Sequence, residues 1–148
     1  MDDDGAMPGL TEVTIALRDL MQASRDLTGR LARDLGMPVT DVTAVGMLDA
    51  IGPLTVSALA AGLDIRTPSA TALVDRLVAA GRAERRPHPE DGRSTVVHLT
   101  GPGREESWTA WEPVIRAMDA AAQGLPADQQ AVVGRYLRDV AAAMHRHP

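Results

Sequence analysis

TPSATALVDRLVAAGRAERRPHPEDGRSTVVHLT, residues 67–100, changes its period halfway. In the first half Ala70, Leu73, Val74 and Leu77 recur at i, i+3, i+4 and i+7, which puts them on one stripe of a helix. Thr67 suits the N-cap, Pro68 the first helical position, where no backbone donor is needed, and Gly81 the stop. Pro68, Ala72, Asp75, Arg76 and Ala79 lie opposite the stripe, flanked by Ser69 and Thr71. Hydroxyls, methyls and a guanidinium let a helix approach base edges closely. The same short side chains are ordinary on any surface helix.

In the second half Arg82–Arg86 reads as a short strand, ending in Arg86. The run 87–92, Pro-His-Pro-Glu-Asp-Gly, is a turn cluster. Thr95–Leu99 alternates, with Val97 and Leu99 on one face, and reads as the return strand. Arg93 sits at the tip, and Asp91 is placed to fix its guanidinium through a charge-assisted bond. A narrow minor groove attracts such an arginine. The bland alternative is a solvated loop with a surface ion pair worth under about 1 kcal/mol. A helix followed by a hairpin with an arginine at its tip is the reading half of a winged helix-turn-helix.

Here the resemblance becomes specific. Asp91-Gly92-Arg93-Ser94-Thr95-Val96-Val97-His98-Leu99-Thr100 resembles the D-x-R-x-x-x-x-x-L-T signature of the MarR family of bacterial transcriptional regulators. Leu73-Val74-Asp75-Arg76-Leu77 with Gly81, the pair Leu59-Ala60, and Gly103 match further family positions in order and spacing, over roughly residues 40–105. Two residues depart from the pattern: Arg82 stands where the family usually has an apolar residue, and Ala72 where a long polar one is frequent. The resemblance implies a mainly α fold with a small β-hairpin wing, a winged helix-turn-helix on a helical dimerisation stalk. It also implies a homodimer on an operator of double-stranded DNA. The helix from Thr67 would occupy the major groove and Arg93 the minor groove.

The 148 residues suffice for a real core, and 45% hydrophobic with 24% charged content is ordinary for a globular protein. The acidic start, Met1-Asp2-Asp3-Asp4, is unlike a secretory signal, no long apolar run predicts a membrane span, and cysteine is absent. These features predict a cytoplasmic protein without thiol chemistry. Net charge is −5, an awkward sum for a DNA binder. Its distribution is more telling: residues 66–98 hold six arginines against four carboxylates, while the rest holds nine against sixteen. The positive balance sits on the reading half, where phosphate contact needs it.

Along the chain, residues 1–9 read as a disordered N-terminus. Helices are expected over about Leu10–Leu35, Thr40–Ile51, Val56–Leu63, Thr100–Gln123 and Ala127–Met144, with Pro113 kinking or breaking the fourth. Residues 10–36 and 104–146 would form the dimerisation region, and 37–103 the DNA-binding domain. Thr55 and Ser57 open the short helix, where they can cap it or hold phosphate. Arg66, before the reading helix, reads as a phosphate contact or a solvated side chain. The interface expected on DNA is thus Thr55, Ser57, Arg66, Thr67, Ser69, Thr71, Ala72, Arg76, Arg86, Asp91 and Arg93.

Trp108 and Trp111 share a helix face and either pack internally or wall a pocket for a small planar ligand. With Met21, Arg25 and Met47 they form the expected effector wall, and the resemblance implies small aromatic or phenolic effectors. No histidine pair has metal-ligand spacing, no serine has a nucleophile elbow, and no glycine run forms a phosphate loop, so neither an enzyme nor a cofactor is expected. Besides an effector-released repressor, two readings compete. One is a winged-helix protein-interaction module without DNA binding, favoured by the acidic balance and Ala72. The other is a metal-responsive regulator using the histidines.

Overall fold

Two glycines in the left-handed region end helices in the first unit of the molecule. Gly36, with φ of +62°, ends helix α1 (Glu12–Asp34), and Gly81, with φ of +73°, ends helix α4 (Thr67–Ala79). Beyond Gly81 the chain turns back: Arg82 N–H donates to Leu77 O at 2.9 Å. This satisfies a helix-end carbonyl in a geometry that a β-carbon would strain.

The computed structural model describes residues 9–146. The expected N-terminal disorder falls almost wholly outside that range. Between the two glycines lie α2 (Val39–Ile51), β1 (Leu54–Thr55) and α3 (Val56–Gly62). After them come β2 (Ala83–Pro87), β3 (Thr95–Leu99), α5 (Gly101–Gln123) and α6 (Ala127–Arg146). The chain divides into two compact units, one ending at Ser107 and the other beginning at Trp108.

The core of the first unit follows from the stripe read in the sequence. Ala70, Leu73, Val74 and Leu77 are all buried. With Leu48 of α2, Leu59 of α3 and Val97 of β3 they form one cluster. Burial of each large side chain stabilises the unit by about 2 kcal/mol relative to exposure. Ala83 and Leu99, directly opposite each other in the β2–β3 register, seal its edge.

Several expectations need correction. The sheet has three strands, in the order β1-β3-β2, rather than the two of a hairpin. Leu54 pairs with Val97 and Thr55 with Val96, so β3 is central and Val96 is buried as well as Val97. The first hairpin strand is displaced by one residue, to Ala83–Pro87; Pro87 is tolerated because β2 is an edge strand. Thr67 is not the N-cap of α4. Arg66 holds that position with φ −74° and ψ 146° and without a side-chain cap, and Thr67 is the first helical residue. Pro113 does not break its helix: α5 runs through it from Gly101 to Gln123.

In the second unit, α6 carries no buried residue at all. Val132, Val133, Leu137 and Met144, on its apolar face, are each more than 40% exposed. Among the described residues, no helix is long and apolar enough to cross a membrane.

Candidate nucleic-acid interface

The exposed face of α4 carries Pro68, Ser69, Thr71, Ala72, Asp75 and Arg76. Three of these have partners within the chain. Thr71 Oγ1 donates to Thr67 O at 3.0 Å, which turns the hydroxyl toward its own helix. Asp75 accepts from Arg85 Nη2 of β2 at 2.7 Å. Arg76 donates twice to Asp41 of α2, from Nε at 3.0 Å and from Nη2 at 2.7 Å. Those bonds hold the Arg76 guanidinium above its ordinary pKa, against a smaller opposing effect of burial. Ser69 and Ala72 remain as short, open side chains on the outer face, which permits close approach to a surface.

The wing is a built turn rather than a loose loop. His88 N–H donates to Ser94 O at 2.9 Å and closes the hairpin above β2 and β3. His88 Nδ1 accepts from the backbone N–H of Glu90 and Asp91, at 3.2 and 3.3 Å. Asp91 Oδ1 accepts from the backbone N–H of Arg93 at 3.1 Å. The carboxylate therefore bonds the backbone of Arg93, not its guanidinium as the sequence suggested. An aspartate two residues before an N–H closes an Asx-type turn, a shorter reach than the end of an arginine. The result still presents Arg93 outward: it is exposed, and its guanidinium meets no carboxylate among the described residues.

Charge on the reading half is more committed than the sequence implied. Arg85 pairs with Asp75, Arg86 with Glu84, Arg76 with Asp41, and Arg82 with Glu106. Arg66 and Arg93 are the arginines of this segment without an ion pair among the described residues, and both are exposed. They lie at the start of the reading helix and at the wing tip. Thr55 Oγ1 accepts from Ala58 N–H at 3.1 Å, so it caps α3, while Ser57 is exposed on that helix.

The root of the wing explains the Leu99-Thr100 and Gly103 pattern. Thr100 Oγ1 donates to Gly81 O at 2.6 Å and accepts from Gly103 N–H at 3.0 Å. A β-carbon on Gly103 would lie 2.1 Å from Arg82 O, so only glycine fits. Sequence reasoning missed Asp41 and Glu106. Neither has a local spacing signal, because their partners lie 35 and 24 residues away.

Of the expected effector wall, Met47 packs on the core of the first unit. Arg25 donates to Gln22 on its own helix at 2.7 Å, and Met21 is half-buried there. In the second unit Trp108 is 54% exposed and Trp111 half-buried. No cluster of three potential metal ligands occurs among the described residues.

A model of the MarR family matches residues 35–94. An HTH-type transcriptional regulator of Mycobacterium bovis is 31% identical over 123 residues, covering 82% of this chain and 78% of that protein. One from Bacillus subtilis is 39% identical over 66 residues, 45% of this chain, a match that spans only 43% of that relative's length. The crystal structure of wild-type MarR from E. coli, in its apo form, shares the fold. It has a TM-score of 0.62 at 22% identity, over 88% of this chain and 98% of that one. With its helix α4, its three-stranded sheet and these relatives, the chain belongs to the MarR family of DNA-binding transcriptional regulators.

Proposed function

We propose that the chain is a dimeric, sequence-specific repressor acting in the cytoplasm. Its α4 lies in the major groove and its wing in an adjacent minor groove. Ser69, Thr71 and Ala72 approach base edges. Arg93 is the minor-groove contact, Arg66 and Ser57 touch phosphate, and Asp91, Thr55, Thr67, Arg76 and Arg86 shape or flank the surface. The observation that carries this reading is Arg93: an exposed guanidinium on a turn rigidified by its own hydrogen bonds, with its neighbouring carboxylate spent on the backbone. A backbone already fixed beneath the cation leaves less freedom to lose on binding than a mobile loop would.

Dimerisation is supported by the exposed apolar side chains of α6 and by Val13 and Leu20 of α1. Two reading helices about 34 Å apart would meet successive turns of one DNA face. A small aromatic or phenolic effector would act by favouring a spacing that no longer fits. Trp108 and Trp111 are the only tryptophans, so such a ligand should quench the chain's fluorescence.

The test is anisotropy of a labelled duplex from the gene's upstream region, with wild type and Arg93→Ala at two salt concentrations. Tight binding that weakens with salt and loses affinity in the variant supports the reading. Failure to bind any duplex at low salt transfers support to a protein-interaction module, which the many internally paired arginines favour.

A further inference from the structure

Arg82, a departure from the pattern the sequence resembles, has a partner in the structure. Its Nε donates to Glu106 Oε2 at 2.5 Å and its Nη2 to Glu106 Oε1 at 3.0 Å. The Arg82 side chain is 22% exposed and that of Glu106 41%. The pair spans the last link between α4 and β2 on one side and the second turn of α5 on the other.

Both backbone groups of Arg82 are engaged as well. Its N–H donates to Leu77 O at 2.9 Å, and its carbonyl accepts from Thr100 N–H at 3.0 Å. Gly103 lies against its backbone with no room for a β-carbon. The first turns of α5 are also tied to α2, where Arg104 Nη1 donates to Asp49 at 2.7 Å. The start of α5 and the root of the wing are therefore tied together by backbone and side-chain hydrogen bonds.

We infer that Arg82 and Glu106 are positioning residues for DNA binding: the bidentate pair fixes the direction in which the wing leaves α5, and so where Arg93 points. A planar guanidinium gripping both carboxylate oxygens restrains rotation as well as distance, which an apolar contact at the same place would not do. The inference rests on the proposed DNA-binding mode. It assigns Arg82 no contact with phosphate, although it is one of the six arginines that make the reading half basic.

The experiment uses the full chain and a labelled duplex that the wild type selects from a random-core pool. Affinity and its salt dependence are measured for the wild type, Arg82→Ala, Glu106→Gln and the swapped double variant Arg82→Glu with Glu106→Arg. Circular dichroism confirms that each is folded at the assay temperature. If the pair positions the wing, both single variants weaken binding about ten-fold, as expected for residues coupled in one network. The salt slope is unchanged, because the same phosphates are still neutralised, and the swap restores much of the affinity. Glu106→Gln is the decisive variant. If Arg82 instead served phosphate, releasing it from the carboxylate would tighten binding and steepen the slope, overturning the inference. Affinities unchanged within about two-fold would overturn it too, since coupling within a network exceeds that. If the wild type selects no duplex, the DNA-binding reading fails and takes this inference with it. Wild-type binding that the variants leave intact defeats this inference alone.

Discussion

Arg76 on α4 and Asp41 on α2, 35 residues apart in sequence, are joined by two hydrogen bonds of 3.0 and 2.7 Å. The carboxylate is nearly sealed, with 3% of its side chain exposed, whereas the arginine is 50% exposed. The pair is thus asymmetric, and the asymmetry makes a prediction. Arg76→Ala strands a buried charge; Asp41→Ala leaves a guanidinium that water can solvate. With half of the arginine in solvent, Arg76→Ala should cost about 1–3 kcal/mol, less than for a fully buried pair. Asp41→Ala should cost less than Arg76→Ala. Urea unfolding of the two variants gives the order, and the reverse order would refute this account of the pair.

Two glycines should respond oppositely to alanine. At Gly103 the added β-carbon would meet the Arg82 backbone at 2.1 Å, and backbone cannot step aside as a side chain can. A loss of about 1–3 kcal/mol is expected from such overpacking. At Gly46, within α2, nothing lies within 4 Å of the new atom. Gly46→Ala should stabilise by about 0.5–1 kcal/mol through helix propensity and reduced freedom of the unfolded chain. Thermal melts of the two variants test both signs.

Glu106 predicts a pH dependence. Hydrogen bonds from Arg82 hold its carboxyl below the ordinary value of 4.5, against a smaller upward push from burial. As pH falls, the unfolded chain binds this proton before the folded one does. The contribution to stability is therefore complete above about pH 4.5 and disappears as pH drops through the lower folded value. Glu106→Gln should flatten that part of the acid-unfolding profile. An acid limb identical in variant and wild type would contradict it.

The pairing of the arginines predicts a ranking on DNA. Arg66→Ala and Arg93→Ala should each reduce the slope of log affinity against log salt by about 0.9 for every phosphate that the side chain had neutralised. Arg85→Ala and Arg86→Ala should change it less, because Asp75 and Glu84 already neutralise those cations. Equal slope changes in all four would show that the ion pairs exchange for phosphate on binding.

What was legible in the sequence was local. Ala70, Leu73, Val74 and Leu77 announced a buried helix stripe because helical spacing is written in the chain itself, and all four are buried. Thr95–Leu99 was found to the residue because alternation and flanking turn residues bound it. β1 escaped because two residues carry no period, and Thr55 already had a reading as a cap. Asp91 bonds the backbone of Arg93 and not its guanidinium, a choice that residue spacing does not distinguish. The ion pairs of Arg76 and Arg82 are products of tertiary structure, invisible until α2 meets α4 and the wing meets α5. Arg76 was therefore expected on DNA for its outward position alone, without the duty Asp41 imposes on it.

The bare face of α6 has a consequence for dosage. A helix of 20 residues without one buried side chain has little to hold it in an isolated subunit. In the proposed dimer its apolar residues find cover only when two copies meet, so folding of this region and association become one equilibrium governed by mass action. The melting temperature should then climb with protein concentration. A regulator built this way senses its own abundance: diluted below the dissociation constant of its dimer, it sheds the order of this helix and the paired grip on DNA together. Occupancy at an operator then rises more steeply than in proportion to the number of chains made.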